Sequence, residues 1–237
     1  MNLVLGDLNR WRLDPLQAVA PQLRLILRSR IIRNDLRPMS RLSEPELAKH
    51  YAVSRQPVRE AFITLVNEGL LEIRPQRGTF VKRIDYQSVL DGRFVREAVE
   101  ADIVRLLAAN PDPALIRELR HQIAGQADVA RRNFSHFIEL DEAFHRTLAH
   151  AAGVESAWEY LNAIKSQMDR VRFISNEEFP VARLIKQHET VVDTIERSDR
   201  DAAEQAMRAH LREILNALPK IQTLYPDYFE GSPSNPD

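Results

Sequence analysis

One stretch, residues 40–82, constrains the fold more than any other, because its start and stop signals come in a fixed order at short intervals. Ser43-Glu44-Pro45-Glu46 has capping-box spacing, with proline in the first turn where its missing donor costs little, so a short helix is expected to about His50. Tyr51-Ala52-Val53 then gives a three-residue turn, and Ser54 is placed to cap a second helix that runs to about Glu68 and stops at Gly69. That helix carries Val58, Ala61, Phe62 and Leu65 at i, i+3, i+4 and i+7, a single buried stripe. Two strand-like runs follow, Leu71–Arg74 and Thr79–Lys82, with turn chemistry in Pro75-Gln76-Arg77-Gly78 between them. Gly78 is expected to take a positive φ. Upstream, Leu16, Val19, Leu23, Ile26, Leu27 and Ile31 give an amphipathic helix over 15–34, broken by Arg37-Pro38-Met39-Ser40. The sum is a winged helix-turn-helix.

The second helix presents Arg55, Gln56 and Arg59 near its start, where helix-turn-helix proteins reach base edges. A planar guanidinium matches guanine O6 and N7, and Gln56 suits adenine or phosphate. Arg77 at the hairpin tip is placed for phosphate or the minor groove. A solvated basic face is the plainer alternative for two arginines alone. Charge distribution favours the first reading. Residues 14–83 hold 13 Lys+Arg against 7 Asp+Glu, whereas residues 84–237 hold 18 against 26, a split expected of a nucleic-acid-binding end joined to something else.

These residues resemble a known family. Leu42–Ala48, Val53–Ala61, Glu68-Gly69-Leu70 and Arg77–Val81 look like the N-terminal domain of GntR-type bacterial transcriptional regulators, over residues 14–83. The resemblance implies operator contacts from Arg55 and Arg59, with Arg77-Gly78 on the adjacent groove or backbone. Two departures stand out. Pro38-Met39 replaces the usual Pro-Gly, which suggests a different turn, and Pro45 replaces an additional arginine that some members use.

Beyond a join near Ile84–Gln87, apolar 3–4 spacing predicts helices over about 88–109, 112–131, 134–151, 154–174, 179–197 and 200–217. They form one helical bundle over 88–218, followed by a tail over 219–237 whose last residues, Gly231–Asp237, are expected to be disordered. The fold class is therefore mainly α, a winged helix-turn-helix followed by an all-α bundle. Seven glycines in 237 residues fit that expectation, and the absence of cysteine excludes disulfides, thiolate metal sites and cysteine nucleophiles. No apolar run is long enough for a membrane span, and Met1–Asp7 does not begin an export signal, so the cytoplasm is the expected setting.

Three bundle helices carry polar groups on apolar faces. Asp141 and His145 share a face with Phe137, Phe144 and Leu148, while His188 and His210 sit among aliphatic residues of two others. Buried polar groups need partners, and one carboxylate with three imidazoles suits zinc, nickel or manganese if the helices converge. Spacing alone leaves open that each is an ordinary core histidine. Here too there is a resemblance: Val95-Arg96 with Glu100, Leu140–His145, Arg170-Val171-Arg172, Gln187-His188-Glu189 and Ala209-His210-Leu211 look like the helical effector domain (FCD) of the FadR-type branch.

That resemblance implies a divalent metal held by Asp141, His145, His188 and His210, next to a small organic or sugar acid whose carboxylate pairs with Arg96. The alternative for Arg96 is an ion pair with Glu100 one turn on. Val154 stands where the family often has Asn. His121, His136 and His150 match no motif position and are expected at the surface or in structural roles. The implied protein is a homodimeric regulator, expected to be a repressor, on a near-palindromic operator in double-stranded DNA. Two alternatives are carried: a metal-free regulator that takes an acyl thioester, and a helical metallohydrolase. The second has thin support, since His188-Glu189 is followed by Val192 where the zinc-protease motif needs histidine.

Overall fold

The computed structural model describes residues 11–130, 132–174 and 180–231. The expected start, at Phe179, of the fifth bundle helix, the last residues of the tail and the expectations for Met1–Asp7 lie outside them. The chain divides into two compact units, residues 1–86 with 225–237, and residues 87–224.

The first unit is built on α1 (Val19–Ile32), β1 (Arg41–Leu42), α2 (Glu44–His50), α3 (Arg55–Asn67), β2 (Leu71–Arg74), β3 (Gly78–Val81) and β4 (Ile84–Asp85). α1 begins four residues later than the apolar pattern suggests. The side chain of Asp14 accepts from Leu16 N at 2.9 Å and Gln22 ties back to Asp14, holding residues 14–18 in a turn instead. α2 starts as expected, with Ser43 Oγ accepting from Glu46 N. Ser54 occupies the cap position of α3 but makes no side-chain cap bond, so that helix is held by its buried stripe. Val58, Ala61, Phe62 and Leu65 are all buried, in a core with Leu23, Leu27, Leu47, Leu71 and Val81.

Strands β2 and β3 pair antiparallel from Leu71↔Val81 to Arg74↔Gly78, and β1 adds a third strand on β3 through Arg41↔Phe80 and Leu42↔Thr79. Gly78 has φ +110, and Gln76 also adopts a left-handed backbone, φ +59. The turn at Pro38-Met39 is not built around its missing glycine in a new way: Met39 itself takes φ +65 and donates its N–H to Val81 O at 2.8 Å. Left-handed backbone in a non-glycine residue costs about 1–2 kcal/mol, which that hydrogen bond helps offset. Residues 84–87 do more than join: β4 pairs in parallel with β5 (Phe229–Glu230), burying Ile84 and Phe229, while Lys82 meets Glu230 at 2.9 Å.

The second unit contains α4 (Tyr86–Ala109, from its second residue), α5 (Pro113–Val129), α6 (Phe134–Ala151), α7 (Glu155–Ile164), α8 (Ser166–Ile174), α9 (Val181–Glu196), α10 (Arg200–Leu211) and α11 (Glu213–Leu224). Two of the expected helices are therefore each two. The segment over 154–174 breaks at Lys165, whose buried ammonium lies between Glu142 (2.6 Å) and Asp169 (2.7 Å). The segment over 200–217 breaks at Arg212, and α11 continues to Leu224, past the expected end of the bundle at 218, before the chain returns to β5. Asp112, Asn133 and Asp199 cap α5, α6 and α10 through their side chains. The core gathers Val104, Leu119, Phe144, Leu148, Val191, Val192, Ile195 and Met207 from five helices. No helix among the described residues is long and apolar enough to cross a membrane.

Candidate functional site

In the first unit, α3 carries the expected polar residues outward. Arg55, Gln56 and Arg59 are exposed at its leading end, and Arg77 is exposed at the hairpin tip. Arg55 is tethered only loosely, its Nη2 3.4 Å from Glu44 Oε2, with a side chain 67% exposed. Gln56 donates to Glu60 at 3.0 Å along its own helix. Gly78 is half-buried, and its positive φ forms the corner where the hairpin leaves its tip. One exposed cation in this region had no motif to announce it: Arg41, on the edge strand β1.

In the second unit, α6, α9 and α10 bring four side chains to one buried point. Asp141, His145, His188 and His210 each direct a donor atom to a space in which all four atoms lie within 4.8 Å of one another. His145 Nε2 and His188 Nε2 both stand 3.2 Å from His210 Nε2, and Asp141 Oδ1 is 3.6 Å from His188 Nε2. The outer nitrogens explain why. His188 Nδ1 faces Gln126 Oε1 at 2.8 Å, and that amide is oriented by its own N–H₂ donating to Leu140 O. His210 Nδ1 faces Gln187 Oε1 at 3.2 Å, with the Gln187 amide nitrogen donating to Glu213. His145 Nδ1 faces the carboxylate of Glu100. All three partners are acceptors, so each Nδ1 carries the proton and each Nε2 turns a lone pair inward.

Three lone pairs and a carboxylate oxygen that accepts no hydrogen bond form a donor set with no donor among the described residues to satisfy it. Such a set fits a divalent transition cation. Burial, helped by His145, Arg172 and Arg96, outweighs the pull of Asp141 and pushes His188 down to about 3, and burial with the other two rings puts His210 well below its ordinary value. Both are therefore neutral at pH 7, the form that ligates. Burial would raise the carboxyl of Asp141, but the Arg172 guanidinium at 2.8 Å reverses that and holds it low.

Beside the cluster lies a small cavity with an open mouth, bordered by Arg96, Asp141, Arg172, His210 and Glu213 and by the apolar Met168, Leu184, Leu211 and Ile214. Arg96 is buried. Its Nε pairs with Glu100, as the ion-pair alternative requires, yet its Nη2 has no hydrogen-bond partner. The two readings of Arg96 are thus compatible: Glu100 links it to His145, and the residue also borders the cavity, with its Nη2 left without a hydrogen-bond partner. His121, His136 and His150 are exposed on helix surfaces. Gln126 and Glu213 escaped the sequence reading, since a polar residue on a helix gives no sign of its partner.

The comparisons with known proteins bear on both units. The model for bacterial regulatory proteins of the gntR family matches residues 20–81, and the FCD domain model matches residues 93–213. This chain belongs to the GntR family. It is 36% identical over 220 residues to the HTH-type transcriptional repressor RspR of Escherichia coli K12, covering 92% of this chain and 96% of that one. It is 38% identical over 208 residues to an uncharacterized HTH-type transcriptional regulator of Streptomyces ambofaciens, covering 86% and 87%. Its fold resembles that of McbR/YncC of E. coli, with a TM-score of 0.72, 18% identity and coverage of 86% and 99%. As a GntR regulator with an FCD domain, the protein acts by binding DNA to regulate transcription and is not an enzyme, which removes the metallohydrolase alternative.

Proposed function

We propose that this GntR regulator belongs to the FadR-type branch and holds a divalent transition metal, zinc, nickel or manganese, on Asp141, His145, His188 and His210. A small organic or sugar acid then binds in the adjoining cavity and controls DNA binding. The metal would supply a Lewis-acidic partner for the acid's oxygen atoms. Arg96 binds the carboxylate with the free end of its fork, since a guanidinium matches a carboxylate in two parallel hydrogen bonds. The observation that carries this reading is the convergence of three Nδ1-protonated imidazoles on one carboxylate oxygen.

On this reading the protein works in the cytoplasm as a homodimer and represses. Two winged units place Arg55, Gln56 and Arg59 in successive major grooves of a near-palindromic operator, with Arg77 and Gly78 at the flanking backbone or minor groove. The acid acts by binding one dimer arrangement better than another. Gel-shift titration on the protein's own promoter region, with a panel of hydroxy, keto and sugar acids, tests this. Release by one class of acid that is abolished by chelation and restored by metal supports the reading; release indifferent to chelation contradicts it.

A further inference from the structure

Gly78 carries a second constraint besides its φ. The guanidinium of Arg41 rests against it: Nε, Nη2 and Cζ stand 3.0, 3.5 and 3.7 Å from the point where a β-carbon would be. Any side chain at position 78 would displace that group. The pairing Arg41↔Phe80 explains the approach, because residues opposite one another on antiparallel strands share a face, and Gly78 lies two residues along β3 on the same face.

The location matters as much as the contact. Three residues after Arg41 comes Glu44, whose carboxylate meets Arg55 at the first turn of α3. On the other side, Gly78 follows Arg77 at the hairpin tip. Arg41 thus stands between the leading end of α3 and the tip of the wing. Other arginines of this unit are neutralised, Arg24 and Arg28 by Glu68 and Arg74 by Glu72. Arg41 is exposed and has no acidic partner among the described residues.

We propose that Arg41 is a further DNA-contacting residue, one that binds a backbone phosphate between the groove entered by α3 and the one met by the wing, with Gly78 as its seat. The proposal rests on the placement of Arg55, Arg59 and Arg77 at DNA. A guanidinium held against the hairpin backbone stays at the protein surface and meets phosphate oxygens, not base edges on the groove floor. Its fork suits two oxygens of one phosphate. The contact therefore adds affinity without sequence preference and fixes the wing against the duplex.

The test uses the full chain and a fluorescein-labelled 30-base-pair duplex of mixed sequence, with anisotropy titrations across a salt series. Each phosphate contact contributes about 0.9 to the slope of log affinity against log salt. Arg41→Ala is expected to lower that slope by about one and weaken binding at least threefold at low salt, while Arg41→Lys keeps most of both. Gly78→Ala should lower the slope by a larger step in the wild-type background than in Arg41→Ala, where only the place of Gly78 itself at the DNA is left to disturb. The strain of φ +110 does not depend on Arg41, so the slope is the readout rather than the melting temperature, and Arg41→Gln serves as a second exposed-site variant. A wild-type slope in Arg41→Ala, while Arg55→Ala lowers it, overturns this proposal and leaves the recognition helix in place. Wild-type slopes in both overturn the two together.

Discussion

Replacing Gln126 by leucine isolates the device that turns His188 toward the cluster. The Gln126 amide is fully buried, accepts from His188 Nδ1 at 2.8 Å and touches none of the four donor atoms. Leucine preserves most of the volume but cannot accept a hydrogen bond. With metal bound, His188 must keep its proton on Nδ1, which is then buried without a partner at a cost of about 1–3 kcal/mol. Without metal, the ring escapes the cost by moving the proton to Nε2, where Asp141 and His210 lie close by. The penalty therefore falls on the metal-bound state, and the metal dissociation constant should rise by roughly 5- to 150-fold. Competition titration against a chromophoric chelator measures this, and Gln126→Glu, which retains an acceptor, should recover most of the affinity. Equal metal affinity in wild type and Gln126→Leu would falsify the tautomer argument.

Three further outcomes follow from the same geometry. Arg96→Lys keeps a charge beside Glu100 but loses the fork, so the acid concentration that half-releases DNA should rise at least about tenfold; an unchanged midpoint removes Arg96 from the acid site. In metal-free protein, His188 has a folded value of about 3 against 6.5 when exposed, so the unfolded chain binds the extra proton as pH falls below 6.5. Stability should then drop by roughly 1.4 kcal/mol per pH unit for that ring, about 2 kcal/mol by pH 5; a flat urea midpoint between pH 7 and 5 contradicts a buried neutral imidazole. Phe229→Ala strips the apolar cover from Ile84 on β4 and should destabilise the first unit by about 3 kcal/mol, read as earlier loss of amide protection at Val81 and Ile84; unchanged protection means that β5 is dispensable.

What could be read from the residues was what local spacing controls. The stripe of α3, the stop at Gly69, the turn at Gly78 and the inward placement of Asp141, His145, His188 and His210 follow from helical or strand periodicity, because neighbours in sequence fix them; that the four form one set came from the resemblance. What could not be read depends on distant partners. β1 and β5 are two residues each and exist because Phe80 and Ile84 stand opposite them. The breaks at Lys165 and Arg212 escaped notice because apolar 3–4 spacing runs on through them. Lys165 gives way to Glu142 and Asp169, and Arg212 reaches Glu97 on α4 at 3.0 Å. Met39 shows the opposite failure: the residue type argued for a new turn, and the fold imposed the glycine backbone on it. Within the site, the four inward polar residues were visible and the resemblance grouped them, but the acceptors that orient the rings were not, since Gln126 and Gln187 declare themselves only when His188 and His210 are placed against them.

The most direct test of the central claim is elemental analysis of full-length protein purified without chelator, alongside a His188→Ala, His210→Ala double variant. About one equivalent of a divalent transition metal per chain in the wild type, and only traces in the double variant, is the expected result. Wild-type protein that holds no more metal than the double variant, even after incubation with zinc, nickel and manganese and desalting, would contradict it.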